Sequence, residues 1–217
     1  MTVYKIPEDL KTIIFDIDGT LYTSKEYVFE QVDVQIRYWA KLNGMSEDEA
    51  RKKINDFRKK WSAEHNGMEI SLGNTFPHFG VDIETSIKWR NLLMEPAKFL
   101  SRNENLIKVL TELKEKYSLI AVTNNPVDAA RRTLKAIGID SIITDIIGLD
   151  TFKKSKPAIE VLEEAVRRTK SSYSQCLSVG DRYDIDLSLP LKLGMGAVLV
   201  SGVKEVENLP YVLKAGQ

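Results

Sequence analysis

Five short apolar runs constrain the fold of this chain most, because none of them alternates apolar with polar residues. The runs are TIIF (12–15), SLIAV (118–122), SIITDII (141–147), CLSV (176–179) and AVLV (197–200). Parallel strands that are covered on both faces show this continuous apolar pattern. Helical patterns lie between the later runs, so the sequence predicts an α/β fold with a Rossmann-like, doubly wound parallel sheet.

Helices between the runs are marked by apolar residues at helical spacing and by start and stop residues. In 127–137 apolar residues recur every three or four positions, with Asn125-Pro126 before them and Gly138 after them. This is the usual asymmetry of helix ends. Segments 103–116 and 157–169 carry the same periodicity. We therefore expect three helices that cover the sheet.

A long helical segment separates the first run from the second, and a crossover between neighbouring strands needs far fewer residues. Ser46 and Glu49 form a capping box between two apolar stripes, and a weaker helix fits 84–94. We expect a core domain formed by 1–22 and 98–217, with an all-α cap subdomain at 23–97. The tryptophans of this insertion are expected in its core: Trp39, Trp61 and Trp89.

Composition and charge exclude several classes of function. The 31 basic and 31 acidic residues cancel, which argues against a nucleic acid as partner. No apolar run approaches the ~20 residues of a membrane span, so we expect no membrane partner and a cytoplasmic location. The single cysteine, Cys176, excludes an internal disulfide and a cysteine metal site. We expect a monomer or a homodimer.

Polar residues follow the predicted strands at the sheet edge where ligands bind in open parallel sheets. Asp16 and Asp18 follow the first run, Thr123 and Asn124 the second, and Asp181 the fourth, while Lys156 begins a helix before it. Each alone is typical of a turn, a helix cap or a solvated surface. Their joint occurrence at strand ends predicts one site.

The chemistry of this predicted site follows from its residue types. Clustered oxygen ligands from Asp16, Asp18 and Asp181 suit Mg²⁺, which also relieves their mutual repulsion. A hydroxyl and amides after the second run, together with Lys156, can hold phosphate oxygens. One carboxylate can attack phosphorus and form an aspartyl-phosphate. A carboxylate two residues on can protonate the leaving alkoxide and then deprotonate a water.

Four segments, FDIDGTL, VTNN, SKP and VGDRYDID, resemble in order the four motifs of the haloacid dehalogenase superfamily. The resemblance implies that Asp16 is the nucleophile and Asp18 the general acid and base. It also implies a charge-stabilising role for Lys156. It implies the following further positions: phosphate binding by Gly19, Thr20, Thr123, Asn124 and Lys156, metal binding by Asp16, Asp18 and Asp181, and a supporting carboxylate at Asp186. Asp184 is left between a supporting role and a solvated loop position.

The family fold implies a sheet with the first predicted strand at its centre and a mobile helical cap. Leu21 to Lys25 are expected to form the flap and hinge. In such enzymes the cap selects the substrate and excludes water. The stretch EHNGMEISLGNTFPHFGVD lies within the cap, and its role is left open, including that of His65 and His78.

The predicted activity is Mg²⁺-dependent hydrolysis of a small phosphomonoester. Asp18 argues against a dehalogenase, which lacks it, and a phosphomutase of the same family remains an alternative. A non-enzymatic phospho-receiver module also remains, although the cap and Asp18 argue against it. TLYTS and the cap stretch resemble the pyrimidine 5′-nucleotidase branch, which implies a nucleoside monophosphate as substrate. Phosphoglycolate or another small phosphorylated metabolite remains the alternative.

Overall fold

The computed structural model describes residues 1–215, which divide into two compact units. One unit combines Met1–Lys25 with the chain from Glu95 onward, and the other is Glu26–Met94. We call them the core unit and the helical unit. No helix within the described residues has both the length and the hydropathy needed to cross a membrane.

The core unit is built on one sheet, whose strands within 1–215 are β1 (Thr2–Lys5), β2 (Thr12–Phe15), β3 (Ser118–Val122), β4 (Asp145–Ile147), β5 (Cys176–Gly180) and β6 (Gly196–Leu199). Their order is β1-β6-β5-β2-β3-β4. The edge strand β1 runs antiparallel to β6, and the other neighbours are parallel. The predicted α/β fold is thus confirmed, with the first predicted strand, β2, between β5 and β3.

The helices in chain order are α1 (Lys25–Leu42), α2 (Glu47–Glu64), α3 (Leu72–Thr75), α4 (Ile83–Leu93), α5 (Glu104–Lys114), α6 (Val127–Ile137), α7 (Leu149–Phe152), α8 (Ile159–Thr169), α9 (Ser188–Lys192), α10 (Val203–Val206) and α11 (Leu209–Ala215). Short 3₁₀ turns span Phe76–Phe79, Pro96–Lys98 and Tyr173–Gln175, and a π turn spans Tyr183–Leu187. The three core helices expected from periodicity correspond to α5, α6 and α8.

The sheet of the core unit is covered on both faces, since all four residues of β2 are buried. On one face, α8 places Val161, Leu162 and Ala165 in a cluster with Ile14 and Ile120. Each fully buried Leu, Ile or Val contributes about 1.5–3 kcal/mol relative to exposure. This packing fixes β2 in the middle of the sheet and so fixes the residues that follow it.

Two details of the sheet differ from the sequence prediction. The edge strand β1 is not marked by an apolar run, because all four of its residues are exposed. In the run 141–147 only the last three residues form a strand. The amides of Ile142 and Ile143 instead donate to the carbonyl of Ile139, at 3.0 Å each. The first half of the run therefore forms a turn.

The helical unit has its own apolar core, formed by residues of α1, α2, α3 and α4 together with Phe76 and Val81. Ser46 caps α2 and accepts from the amide of Glu49 at 3.2 Å, as the capping box predicts. Trp39 and Trp89 lie in this core, but Trp61 does not. Trp61 lies near the end of α2, is only partly buried, and stacks on His65 with ring centroids 3.9 Å apart.

Candidate active site

The polar residues predicted at the strand ends lie together at one edge of the core sheet. Asp16 follows β2, Thr123 follows β3 and Asp181 follows β5. Parallel pairing of β2 with both neighbours brings these three ends to the same side. Side chains from two of the ends make direct contact, since the Thr123 hydroxyl donates to Oδ2 of Asp18 at 3.3 Å.

Asp16 is a buried carboxylate with both oxygens hydrogen bonded. Its side chain accepts from Nζ of Lys156 at 2.6 Å on Oδ1 and from the hydroxyl of Thr20 at 3.2 Å on Oδ2. Burial raises the pKa of Asp16 to about 7, against the opposing charge of Lys156 and with the added repulsion of Asp186 and Asp18. The site therefore resists the negative charge that Asp16 must carry as a nucleophile or ligand, and a further positive charge would stabilise it.

Lys156 is buried at the centre of the site and is not a surface lysine. Its ammonium donates to Oδ1 of Asp16 and Oδ1 of Asp186 at 2.6 Å each, and to the carbonyl of Val122 at 2.9 Å. Burial disfavours the charge, but the two carboxylates outweigh burial and raise the pKa of Lys156. Its backbone amide donates to Oδ1 of Asn124 at 2.7 Å, which ties the Lys156 loop to the end of β3.

Gly19 permits a close backbone approach beside Asp181. Its φ of +84° lies in the left-handed region, where glycine carries no Cβ penalty. A Cβ placed on Gly19 would lie 2.4 Å from Oδ2 of Asp181. The turn after β2 therefore needs glycine both for its conformation and for its distance to this carboxylate.

Three carboxylates form an acidic cluster, which comprises Asp16, Asp181 and Asp186 and is the one such group within the described residues. One oxygen from each lies within 4.8 Å of the others. Oδ1 of Asp181 is buried and accepts no hydrogen bond, and the nearest guanidinium nitrogen, Nε of Arg182, is 3.6 Å away. Burial raises the pKa of Asp181, although Arg182 opposes it. Hard oxygen ligands around an unsatisfied buried oxygen fit Mg²⁺.

The carboxylate of Asp18 has different partners from those of the acidic cluster. It accepts from the phenol of Tyr22 at 2.5 Å on Oδ1 and from the amide of Asn125 at 2.9 Å on Oδ2. Asp184 is exposed and does not belong to the cluster. Sequence reasoning did not single out Tyr22, because a tyrosine four residues after an aspartate in a turn carries no periodic signal. Asn125 directly follows the predicted phosphate-binding positions, and that adjacency is the signal by which it could have been found.

The core unit is Rossmann-like, and the helical unit interrupts it just after its central strand. An acidic site lies at the strand ends of the core. Together these features define a class of hydrolase. Comparison of sequences agrees with this class. The family described as haloacid dehalogenase-like hydrolase matches residues 13–200. The chain belongs to that family.

Similar proteins place the chain among the phosphatases of this family. Glyceraldehyde 3-phosphate phosphatase from Methanothermobacter thermautotrophicus is 25% identical over 217 residues, covering 95% of this chain and 92% of that protein. Pyrophosphatase PpaX from Listeria monocytogenes is 22% identical over 178 residues, covering 80% and 76%. A HAD phosphatase from Thermococcus onnurineus shares the fold, with a TM-score of 0.62, 20% identity and coverage of 93% and 98%.

The chain is a phosphatase-type hydrolase, and its relatives differ in the substrates for which they are named. The relatives from Methanothermobacter thermautotrophicus and Listeria monocytogenes are named for other activities than that of a nucleotidase. The pyrimidine 5′-nucleotidase branch therefore stays a prediction. Members of the family generally use Mg²⁺, in keeping with the acidic cluster.

Proposed function

We propose that this protein is a Mg²⁺-dependent phosphomonoester hydrolase that works through an aspartyl-phosphate on Asp16. The observation that carries the proposal is the buried Asp16 carboxylate, which lies at the end of the central strand with Nζ of Lys156 at 2.6 Å. Asp16 also belongs to the acidic cluster. A nucleophile, a fixed positive charge and a set of metal ligands thus share one carboxylate.

The acidic cluster supplies the residues that would hold the cation: Asp16, Asp181 and Asp186. Their donor atoms are all carboxylate oxygens, and Oδ1 of Asp181 is buried without a hydrogen bond. The carboxylate of Asp18, which the sequence also suggested as a ligand, does not belong to this group. When bound, Mg²⁺ supplies positive charge that polarises the phosphoryl oxygens and offsets charge that develops during transfer.

Asp16 Oδ2 is the oxygen that attacks phosphorus in the first step, because Lys156 engages Oδ1 at 2.6 Å while Thr20 contacts Oδ2 at 3.2 Å. The new bond joins Oδ2 to phosphorus, and the bond from phosphorus to the leaving oxygen breaks. Asp18 gives its proton to that oxygen. In the second step water loses a proton to Asp18 and attacks phosphorus. The aspartyl P–O bond breaks, which releases phosphate and restores the Asp16 carboxylate and the protonated Asp18.

Lys156 holds Asp16 in place and offsets part of its charge through both steps. Its three hydrogen bonds leave it no proton donor for a leaving group, so it acts by charge and by position. We assign phosphate binding to the turn and strand-end positions that the motifs indicate: Gly19, Thr20, Thr123 and Asn124. Preorganised donors of this kind stabilise the transferring group without reorganisation.

The helical unit Glu26–Met94 is proposed as the cap, close to the 23–97 expected from the sequence. Caps of this type select among small phosphorylated metabolites. The relatives are named for glyceraldehyde 3-phosphate and pyrophosphate. Glyceraldehyde 3-phosphate therefore joins phosphoglycolate and the nucleoside monophosphates in the set of candidate monoester substrates, and pyrophosphate is tested beside them as a phosphoanhydride.

Release of inorganic phosphate from a panel of these substrates and from p-nitrophenyl phosphate tests the proposal. We expect multiple turnovers with Mg²⁺, none with excess chelator, and none from Asp16→Asn. Asp9→Asn, which changes an exposed aspartate of the same unit, is the matched control and should keep full activity. Retained activity in Asp16→Asn would remove Asp16 as the nucleophile. Stoichiometric labelling without turnover would instead indicate a receiver module.

A further inference from the structure

Both oxygens of the Asp18 carboxylate are held by neighbouring donors. Oδ2 accepts from the side-chain amide of Asn125 at 2.9 Å and from the Thr123 hydroxyl at 3.3 Å. Oδ1 accepts from the phenol of Tyr22 at 2.5 Å, the shortest of these contacts. The proposed acid and base therefore does not rotate freely.

Tyr22 is itself fixed in the core unit. Its side chain is 4% exposed, and its backbone forms an isolated parallel bridge with that of Asp18. The phenol thus reaches Asp18 from a packed position in the same turn. A donor held this way can set the direction in which a carboxylate points.

The two oxygens are held from different parts of the chain. Oδ2 is held by two side chains that follow β3, and Oδ1 by Tyr22 from the turn after β2. Removing the Tyr22 hydroxyl therefore loosens Oδ1 while Oδ2 keeps its donors.

We propose that Tyr22 is a positioning residue that holds Oδ1 of Asp18 in the orientation needed for proton transfer to the leaving group. Asn125 and Thr123 complement it by holding Oδ2. The inference rests on the proposed function. In the first step the carboxyl of Asp18 gives a proton to the leaving oxygen as its bond to phosphorus breaks, and in the second step the carboxylate takes a proton from the attacking water.

Tyr22→Phe removes the hydroxyl and keeps the ring, and its effect should depend on the leaving group. An alkoxide must be protonated as it departs, whereas p-nitrophenolate departs readily without a proton. kcat/KM reports only steps up to departure of the leaving group. We expect kcat/KM for ethyl phosphate to fall about tenfold or more, and that for p-nitrophenyl phosphate to fall less than about threefold.

Two further variants separate positioning from general damage to the fold. Tyr173→Phe changes another partly buried tyrosine of the core unit, and should leave both kcat/KM values at the wild-type level. In an Asp18→Asn background, Tyr22→Phe should not lower the residual kcat/KM for p-nitrophenyl phosphate further, because the group it positions is gone. Far-UV circular dichroism and the thermal midpoint show that each variant folds.

Equal losses for the two substrates, or a further loss in the Asp18→Asn background, would overturn the role of Tyr22 and leave the proposed function standing. A wild-type protein that releases no more phosphate than Asp16→Asn from either substrate would overturn the proposed function, and this assignment with it.

Discussion

Gly19→Ala is expected to weaken Mg²⁺ binding at a cost to the fold no larger than that of any alanine at a positive-φ glycine. Gly19 has φ +84°, and a Cβ there would lie 2.4 Å from Oδ2 and 2.9 Å from Cγ of Asp181. Ordinary contacts with a Cβ begin near 3.4 Å, so the carboxylate must move by about 1 Å. That displacement takes Asp181 out of the acidic cluster.

The loss of stability from this substitution can be estimated from two contributions. An alanine in the left-handed region costs about 1–2 kcal/mol relative to glycine. Displacing Asp181 adds little, because Oδ1 of Asp181 has no hydrogen bond to lose and its ion pair with Nε of Arg182 is long, at 3.6 Å, and partly exposed. Gly194→Ala is the matched control, since Gly194 has φ +89° and a Cβ added there would meet nothing within 4 Å. Both variants should lose about the same free energy of unfolding.

The affinity for Mg²⁺ should separate these two variants. Even residues that only orient metal ligands change affinity by about 10–100-fold when altered. We expect at least that loss for Gly19→Ala and none for Gly194→Ala, measured by calorimetric titration with Mg²⁺, with urea unfolding as the stability assay. Equal Mg²⁺ affinities in the two variants would refute the reasoning that Gly19 keeps Asp181 in place.

Two further predictions concern charge. The pKa of Asp16 is raised to about 7, so its proton must leave before the cation binds. The Mg²⁺ affinity should therefore fall about tenfold per unit as pH drops below about 7 and level off above it, and a pH-independent affinity would contradict this. In the helical unit, Arg51 and then Arg37 lower the pKa of the buried Asp33. The two ion pairs of Asp33 therefore stabilise the fold fully above the ordinary aspartate pKa, and this stabilisation is lost as the pH falls through the lowered pKa of Asp33. Asp33→Asn should cost about 1–3 kcal/mol in urea unfolding at neutral pH, against a much smaller loss for the exposed control Asp56→Asn, and equal losses would refute the assignment.

The sheet was predictable because burial on both faces leaves a sequence signature. β2, β3 and β5 coincide with continuous apolar runs, and their central positions explain why. β1 lacks the signature because it is an exposed edge strand. The first half of 141–147 is apolar but forms a turn, because its amides donate to the carbonyl of Ile139 and not to a neighbouring strand. The apolar pattern does not distinguish these two kinds of hydrogen bonding.

The location of the candidate site was predictable, whereas its contacts were not. Residues after parallel strands must meet at one edge, which brings Asp16, Thr123 and Asp181 together without tertiary information. Side-chain direction within a turn is set by local backbone geometry. For that reason the sequence, which placed Asp18 among the ligands and Asp186 in a supporting position, did not show that Asp186 joins the acidic cluster while Asp18 accepts from Tyr22.

Chemical trapping of the phosphorylated enzyme tests the central claim most directly. Borohydride reduces an aspartyl-phosphate to homoserine, so the protein is quenched during turnover, reduced, digested and analysed by mass spectrometry. We predict homoserine at position 16, dependent on both substrate and Mg²⁺, and absent without either. Phosphate release with no homoserine at position 16, or with homoserine at another aspartate, would contradict the account.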